Sequence, residues 1–148
     1  MAQQCLRSAL RMLGRRDHSC AELRGKLRLR GFTTEVIGAA IAECQRLSYL
    51  DDDRFCQHYT AHLRRKGYGV LRIQQMLNGK GLAAEQVAAC LYHQCDGESQ
   101  LDDCRKVLQK KIGAGAGYTQ DAARLYRFLC GRGFTSAVAR QVVTEKRD

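Results

Sequence analysis

The chain has no proline and no tryptophan, and only 7% of its 148 residues are aromatic. Proline ends helices by removing a donor and crowding the preceding turn, so its absence leaves long helices unopposed. No run of about 20 apolar residues occurs, which excludes an ordinary membrane-spanning helix. The opening "MAQQCLRSALRMLGRRD" lacks the apolar centre of a signal peptide. It is amphipathic and arginine-rich, as mitochondrial presequences are, but it belongs to the repeat described below and reads as structure. There is no CxxC pair among the eight cysteines, at 5, 20, 44, 56, 90, 95, 104 and 130, so zinc-site spacing is missing. Most of them fall at apolar positions of helical patterns and read as small buried hydrophobes. Without a signal peptide the expectation is a cytoplasmic chain with reduced thiols.

Chemistry-bearing motifs are also missing. His58 and His62 stand four apart but have no HExxH frame, so no metal is expected. "GAGAG" at Gly113 to Gly117 has no Lys-Ser/Thr after it, which removes the P-loop reading and leaves a flexible connection. No nucleophile–base pair and no acid pair stands out. The expectation is a protein with no catalytic residues and no cofactor.

Acidic residues are few: 15 against 25 Lys and Arg, a net charge of +10. Such a balance points to an anionic partner, nucleic acid being the commonest.

Three segments repeat one pattern: "SCAELRGKLRLRGFTTEVIGAAI" from Ser19, "GVLRIQQMLNGKGLAAEQVAACL" from Gly69 and "DAARLYRFLCGRGFTSAVARQVV" from Asp121. Each holds a cation-Gly-apolar step: Arg30-Gly31-Phe32, Lys80-Gly81-Leu82 and Arg132-Gly133-Phe134. Aliphatics precede each Gly by eight and four residues: Leu23 and Leu27, Ile73 and Leu77, Leu125 and Leu129. Ile41, Leu91 and Val143 follow by ten. The period is 50, then 52, long enough to mark stacked supersecondary units. Each unit reads as helix, left-handed Gly turn, helix. Thr33 or Thr34, and Thr135 or Ser136, are placed to cap the next helix. An extra helix precedes each pair, carrying Leu6, Leu10 and Leu13, then Phe55, Tyr59 and Leu63, then Leu101, Cys104 and Leu108. The fold expected is all-α: three tandem three-helix repeats at 1–48, 49–97 and 98–148, in an elongated, curved arrangement. Loops are expected near Arg16–His18, Gly67–Gly69, Asp96–Glu98 and "GAGAG".

"DDDRF" and "RRKGYG" segregate charge along one helix. Asp51 suits an N-cap, Asp52 and Asp53 the positive helix start, Arg64, Arg65 and Lys66 the negative end, and Gly67 the stop. Arg54 opposes the macrodipole and either pairs with an aspartate or serves elsewhere. Arg54, His58 and Arg65 share one side of the wheel, a solvated face or a binding stripe. Arg7, Arg11 and Arg15 recur every four residues, a spacing that costs a helix roughly 0.2–0.5 kcal/mol per pair. Arg24 and Arg28 repeat it, as do Lys106 and Lys110. A solvated face mixes signs, so these stripes read as contacts for phosphate or an acidic protein. Tyr68 either stacks on a base or fills a gap between units.

"HSCAELRGKLRLRGF" (18–32), "YLDDDRF" (49–55) and "RRKGYGVLRI" (64–73) resemble the motifs of the RecX family, regulators of the RecA recombinase. The match runs through Ser19, Glu22, Leu23, Lys26, Leu27, Gly31 and Phe32; Tyr49, Leu50, Asp51, Asp52, Arg54 and Phe55; and Arg64, Lys66, Gly67, Gly69, Arg72 and Ile73. "LYRFLCGRGF" matches more loosely, and Val70 stands where the family pattern often has Pro. The resemblance implies a cytoplasmic, monomeric inhibitor that enters the groove of the RecA filament on single-stranded DNA. It would block filament growth and damp ATPase, coprotease and strand-exchange activity. The Arg7/Arg11/Arg15 and Arg24/Arg28 stripes predict weak, salt-sensitive binding of single-stranded DNA, and no membrane partner is expected. The candidate contacts are Arg7, Arg11, Arg15, Arg24, Lys26, Arg28, Arg54, Arg64, Arg65, Lys66, Tyr68, Arg72, Lys80 and Arg132. The competing reading is an autonomous basic helical protein that binds single-stranded nucleic acid.

Overall fold

The computed structural model describes residues 1–114 and 121–147. Among these there are nine α-helices and no strand: α1 (Ala2–Arg15), α2 (Cys20–Leu29), α3 (Thr34–Arg46), α4 (Asp52–Arg65), α5 (Val70–Gly79), α6 (Ala84–Gln94), α7 (Gly97–Ala114), α8 (Ala122–Gly131) and α9 (Ser136–Arg147).

The helix ends follow from their sequences. Gly31, Gly81 and Gly133 each end the middle helix of a triplet with φ of +91°, +74° and +103°, a region an L side chain enters at a cost. Gly67 ends α4 in the same way. Ser19 caps α2 in a reciprocal box with Glu22. Thr33 caps α3 by accepting from Val36 N, and Thr135 accepts from Val138 N.

The chain divides into two compact units. Unit 1 holds Met1–His58 and Leu77–Val87; unit 2 holds Tyr59–Met76 and the described part of Ala88–Asp148. In unit 1, α1 and α2 pack on α3 around Leu23, Leu27, Ile37, Ile41, Cys44 and Leu50. In unit 2, α7 and α8 pack on α9 around Cys104, Leu108, Leu125, Leu129, Phe134 and Val142. Phe55 and Leu63 of α4 and Ile73 and Leu77 of α5 are buried as the spacing requires.

Three expectations need correction. The most buried line of α1 is Cys5, Ala9 and Met12, with Leu6, Leu10 and Leu13 beside it, half-buried. Helix α7 starts at Gly97, inside the expected loop, because Asp96 accepts from Ser99 N at 2.7 Å and caps it. Gly113 and Ala114 of "GAGAG" belong to α7; its last three residues lie outside the described residues.

Candidate functional site

Helices α2 and α5 start with orphan N–H groups, and in both cases a Gly turn two helices or more downstream meets that start. At the first joint, inside unit 1, Ser19 Oγ donates to Lys80 O at 2.6 Å. Cys20 N donates to Asp52 Oδ1 at 2.8 Å. Lys80 Nζ reaches Glu22 Oε2 at 3.0 Å, and Arg16 pairs with both oxygens of that carboxylate, at 3.2 and 2.6 Å. Burial works against ionisation of Glu22, but the hydrogen bonds from Arg16 and Lys80 win and hold it at about 2.

At the second joint, inside unit 2, Gly69 N donates to Arg132 O at 2.8 Å and Leu71 N to Gly133 O at 2.9 Å. Val70 N donates to Gln100 Oε1 at 2.9 Å, a bond that Pro at this position has no N–H to make. A side chain on Gly69 would run into the backbone of Gly133 and Phe134, which is why "GYG" ends in Gly. Arg132 donates to the carbonyls of Gly67 and Lys66. Its guanidinium lies 4.4 Å from the Tyr68 ring centre, and that of Arg72 lies 5.2 Å away.

Next to Arg132, unit 2 opens into a basin of about 860 Å³. Its described lining contains seven cations, Arg64, Arg65, Lys66, Lys106, Lys110, Lys111 and Arg132, and one carboxylate, Asp103. Asp103 is already held by Arg64, at 2.7 and 3.1 Å. Helix α7 sorts its charges by face. Asp103, Lys106, Val107, Lys110 and Lys111 line the basin, at the i, i+3, i+4 spacing of one helix side. Arg105 instead pairs with Asp102 and with Glu145 of α9, all at 2.9 Å. The ion pairs of Arg105 lie on one face, and Lys106, Lys110 and Lys111 line the basin on the other.

The remaining candidates divide by what holds them. Arg7, Arg11, Arg15, Arg24 and Arg28 are exposed. Arg15 and Lys26 line a smaller cavity with Arg30 and Leu29, about 600 Å³. Lys26 Nζ lies 2.9 Å from Nε2 of buried His18, whose Nδ1 is 3.0 Å from Arg16 O. The ring is therefore the neutral tautomer, donating from Nδ1 and accepting at Nε2, and burial lowers its pKa. Arg54 Nη1 donates to Ser48 O at 3.0 Å rather than to an aspartate. Ser48 is left-handed, φ +64°, so this guanidinium braces the turn before α4. The three aspartates have separate tasks: Asp51 caps Arg54 N, Asp52 serves Cys20 N, and Asp53 accepts from Gln86 Nε2 at 3.1 Å. His58 lies 3.3 Å from Asp17 Oδ2, and Arg65 faces the basin. Lys111 and Phe128, absent from the candidates, join the basin, with Lys111 Nζ 4.8 Å from the ring centre. Only tertiary packing brings α7 and α8 together there.

Burial pushes the Cys104 thiol up to about 12, and Cys20 and Cys95 to about 11, so none of the three supplies a thiolate near neutrality.

Models of the first, second and third three-helix domains of RecX match residues 5–44, 51–91 and 98–143. The regulatory protein RecX of Legionella pneumophila strain Corby is 34% identical, over 93% of this chain and 91% of its own. That of Chlorobaculum tepidum is 37% identical over 91% and 83%. The crystal structure of RecX from Lactobacillus salivarius, 16% identical, superposes with a TM-score of 0.84 over 97% of this chain and 95% of that one. With all three domains matched in order along a nine-helix chain, this protein belongs to the RecX family of regulatory proteins.

Proposed function

We propose that the chain regulates RecA, mainly as an inhibitor, by entering the groove of the RecA filament on single-stranded DNA. There it blocks extension and damps ATPase, coprotease and strand-exchange activity. The observation that carries this reading is the complete, ordered set of RecX domains from residue 5 to 143. Exposed cations of α1 and α2 and the basin of unit 2 supply surfaces for an anionic filament. Lys80, Arg132 and Arg54 act mainly by shaping the joints and turns, and Arg64 by holding Asp103. The protein works in the cytoplasm, as a monomer, without catalytic residues or a cofactor; no described helix is long and apolar enough to cross a membrane.

The test is an ATPase titration of the cognate RecA on single-stranded DNA. Inhibition far below the concentration of DNA sites supports regulation of the filament. Inhibition only when the DNA is saturated supports the second reading, an autonomous single-stranded nucleic-acid-binding protein, which the basin favours.

A further inference from the structure

We propose that the basin of unit 2 is a seat for one strand of nucleic acid, taking neighbouring phosphates along α7 and a base against Phe128. This deepens the nucleic-acid part of the proposed function and rests on it. Arg65 and Lys66, at the end of α4, line the basin together with Lys106 and Lys110 of α7. Lys106 and Lys110 are exposed and about 6 Å apart along the helix axis, so successive phosphates of a strand can meet successive turns. The one carboxylate in the described lining is already bonded to Arg64 and does not repel the guest.

The ring decides the kind of partner. Phe128 is half-buried, and Lys111 lies near its face. A cationic groove with an aromatic platform is what single strands use, because every base has a face to stack. A duplex keeps its bases inside and offers the ring nothing, and an acidic peptide matches the charge alone. Tyr68 does not serve here, since it is not among the residues that line the basin. The stripe on α1 is a weaker seat: that helix contains no aromatic residue.

The experiment measures binding of labelled oligothymidylate by fluorescence anisotropy across a salt series, without RecA. Lys106→Glu with Lys110→Glu is expected to weaken binding at least about tenfold and to make the log–log salt slope shallower by about 1.4, for two phosphates. Phe128→Leu is expected to weaken binding about fivefold or more with the slope unchanged. Melting curves show whether each variant is folded; Arg65→Ala with Lys66→Ala, on the facing helix end, repeats the charge test independently. Parent-like binding by both charge variants overturns the seat. So does equal displacement of the oligonucleotide by polyglutamate with no effect of Phe128→Leu, which makes the basin a surface for acidic protein. A parent chain that binds oligothymidylate through the basin yet leaves RecA's ATPase unchanged sinks the proposed function and keeps the seat. Regulation of RecA that persists when neither charge variant alters DNA binding does the reverse.

Discussion

At the first joint the cation before the Gly turn, Lys80, meets a carboxylate, Glu22; at the second, the position corresponding to Glu22 is Arg72. Arg132 turns instead to two backbone carbonyls and the Tyr68 ring. Tyr68 in turn corresponds to His18 of the first joint. Carbonyls and a ring satisfy a guanidinium's directional needs but leave its charge in place. The first joint is thus neutralised where it forms, while the second stays positive and adds to the field of the basin beside it. One repeated backbone device carries two charge programmes, and the uncompensated one adjoins the cavity.

The largest effect should come from adding one methyl group. Gly69→Ala places a carbon against the backbone of Gly133 and Phe134, which has no side-chain end to yield. The expected loss is about 3 kcal/mol or more, the upper range for overpacking. Gly31→Ala is the contrast: Gly31 is left-handed, as Gly69 is not, but has open space around it, so only the backbone cost of about 1–2 kcal/mol applies. Urea melts of both variants check the ordering. Equal losses would mean that the second joint does not hold its turn tightly.

Next in size is Glu22→Gln, which keeps an acceptor for the capping box but removes the charge that Arg16 and Lys80 share. The expected cost at neutral pH is about 1–3 kcal/mol. The sign of its pH dependence follows from the lowered carboxyl, about 2 against an ordinary 4.5. Its stabilisation is complete above the ordinary value and is lost as pH falls toward the folded one. The parent should therefore lose stability between about pH 4.5 and 2 more steeply than the variant. Parallel acid limbs would show that the first joint does not depend on this charge.

These joints mark how far the sequence could be read. Gly31, Gly81 and Gly133 were legible because a left-handed helix end has a local signature, and Leu23, Leu27, Ile73 and Leu77 because burial repeats every four residues. Ser19 and Lys80 were not legible as partners, being 61 residues apart. Nor was the service of Asp52 to Cys20 N, since an aspartate at a helix start is already explained by capping its own helix. The cation before each Gly shows the limit: its recurrence was visible, but its task depends on the helix start it meets. Lys106 and Lys110 stood out as a stripe, yet the basin needed Lys111, Phe128 and the end of α4 brought together by packing.

Arg54 sharpens the comparison further, since α4 supplies both Asp52 for the first joint and this brace on Ser48 O. Arg54→Ala should cost about 1 kcal/mol, one charge-assisted bond made in a half-exposed setting. Thermal melts beside an ATPase-inhibition titration separate the roles. If inhibition per folded molecule is unchanged, the arginine serves only the turn, and it leaves the set of contact candidates.

The smallest effect has the opposite sign. The cations of the joints have partners, so removing one should destabilise. Arg11 lies on an exposed stripe between Arg7 and Arg15, and the first turn of α1 contains no acid. Arg11→Ala deletes two like-charge pairs, each unfavourable by roughly 0.2–0.5 kcal/mol, and Ala is the better helix former. The variant should be more stable by about 0.5 kcal/mol, a gain that shrinks as salt screens the repulsion. A chain that keeps a destabilising stripe has a use for it, so the same variant should act more weakly on RecA. Because oligothymidylate is assigned to the basin, its direct binding should fall far less than in the Lys106/Lys110 double variant. A destabilised Arg11→Ala would show that the arginine is held by a structural contact, and the stripe would then join Lys80 and Arg132 among the cations that serve the fold.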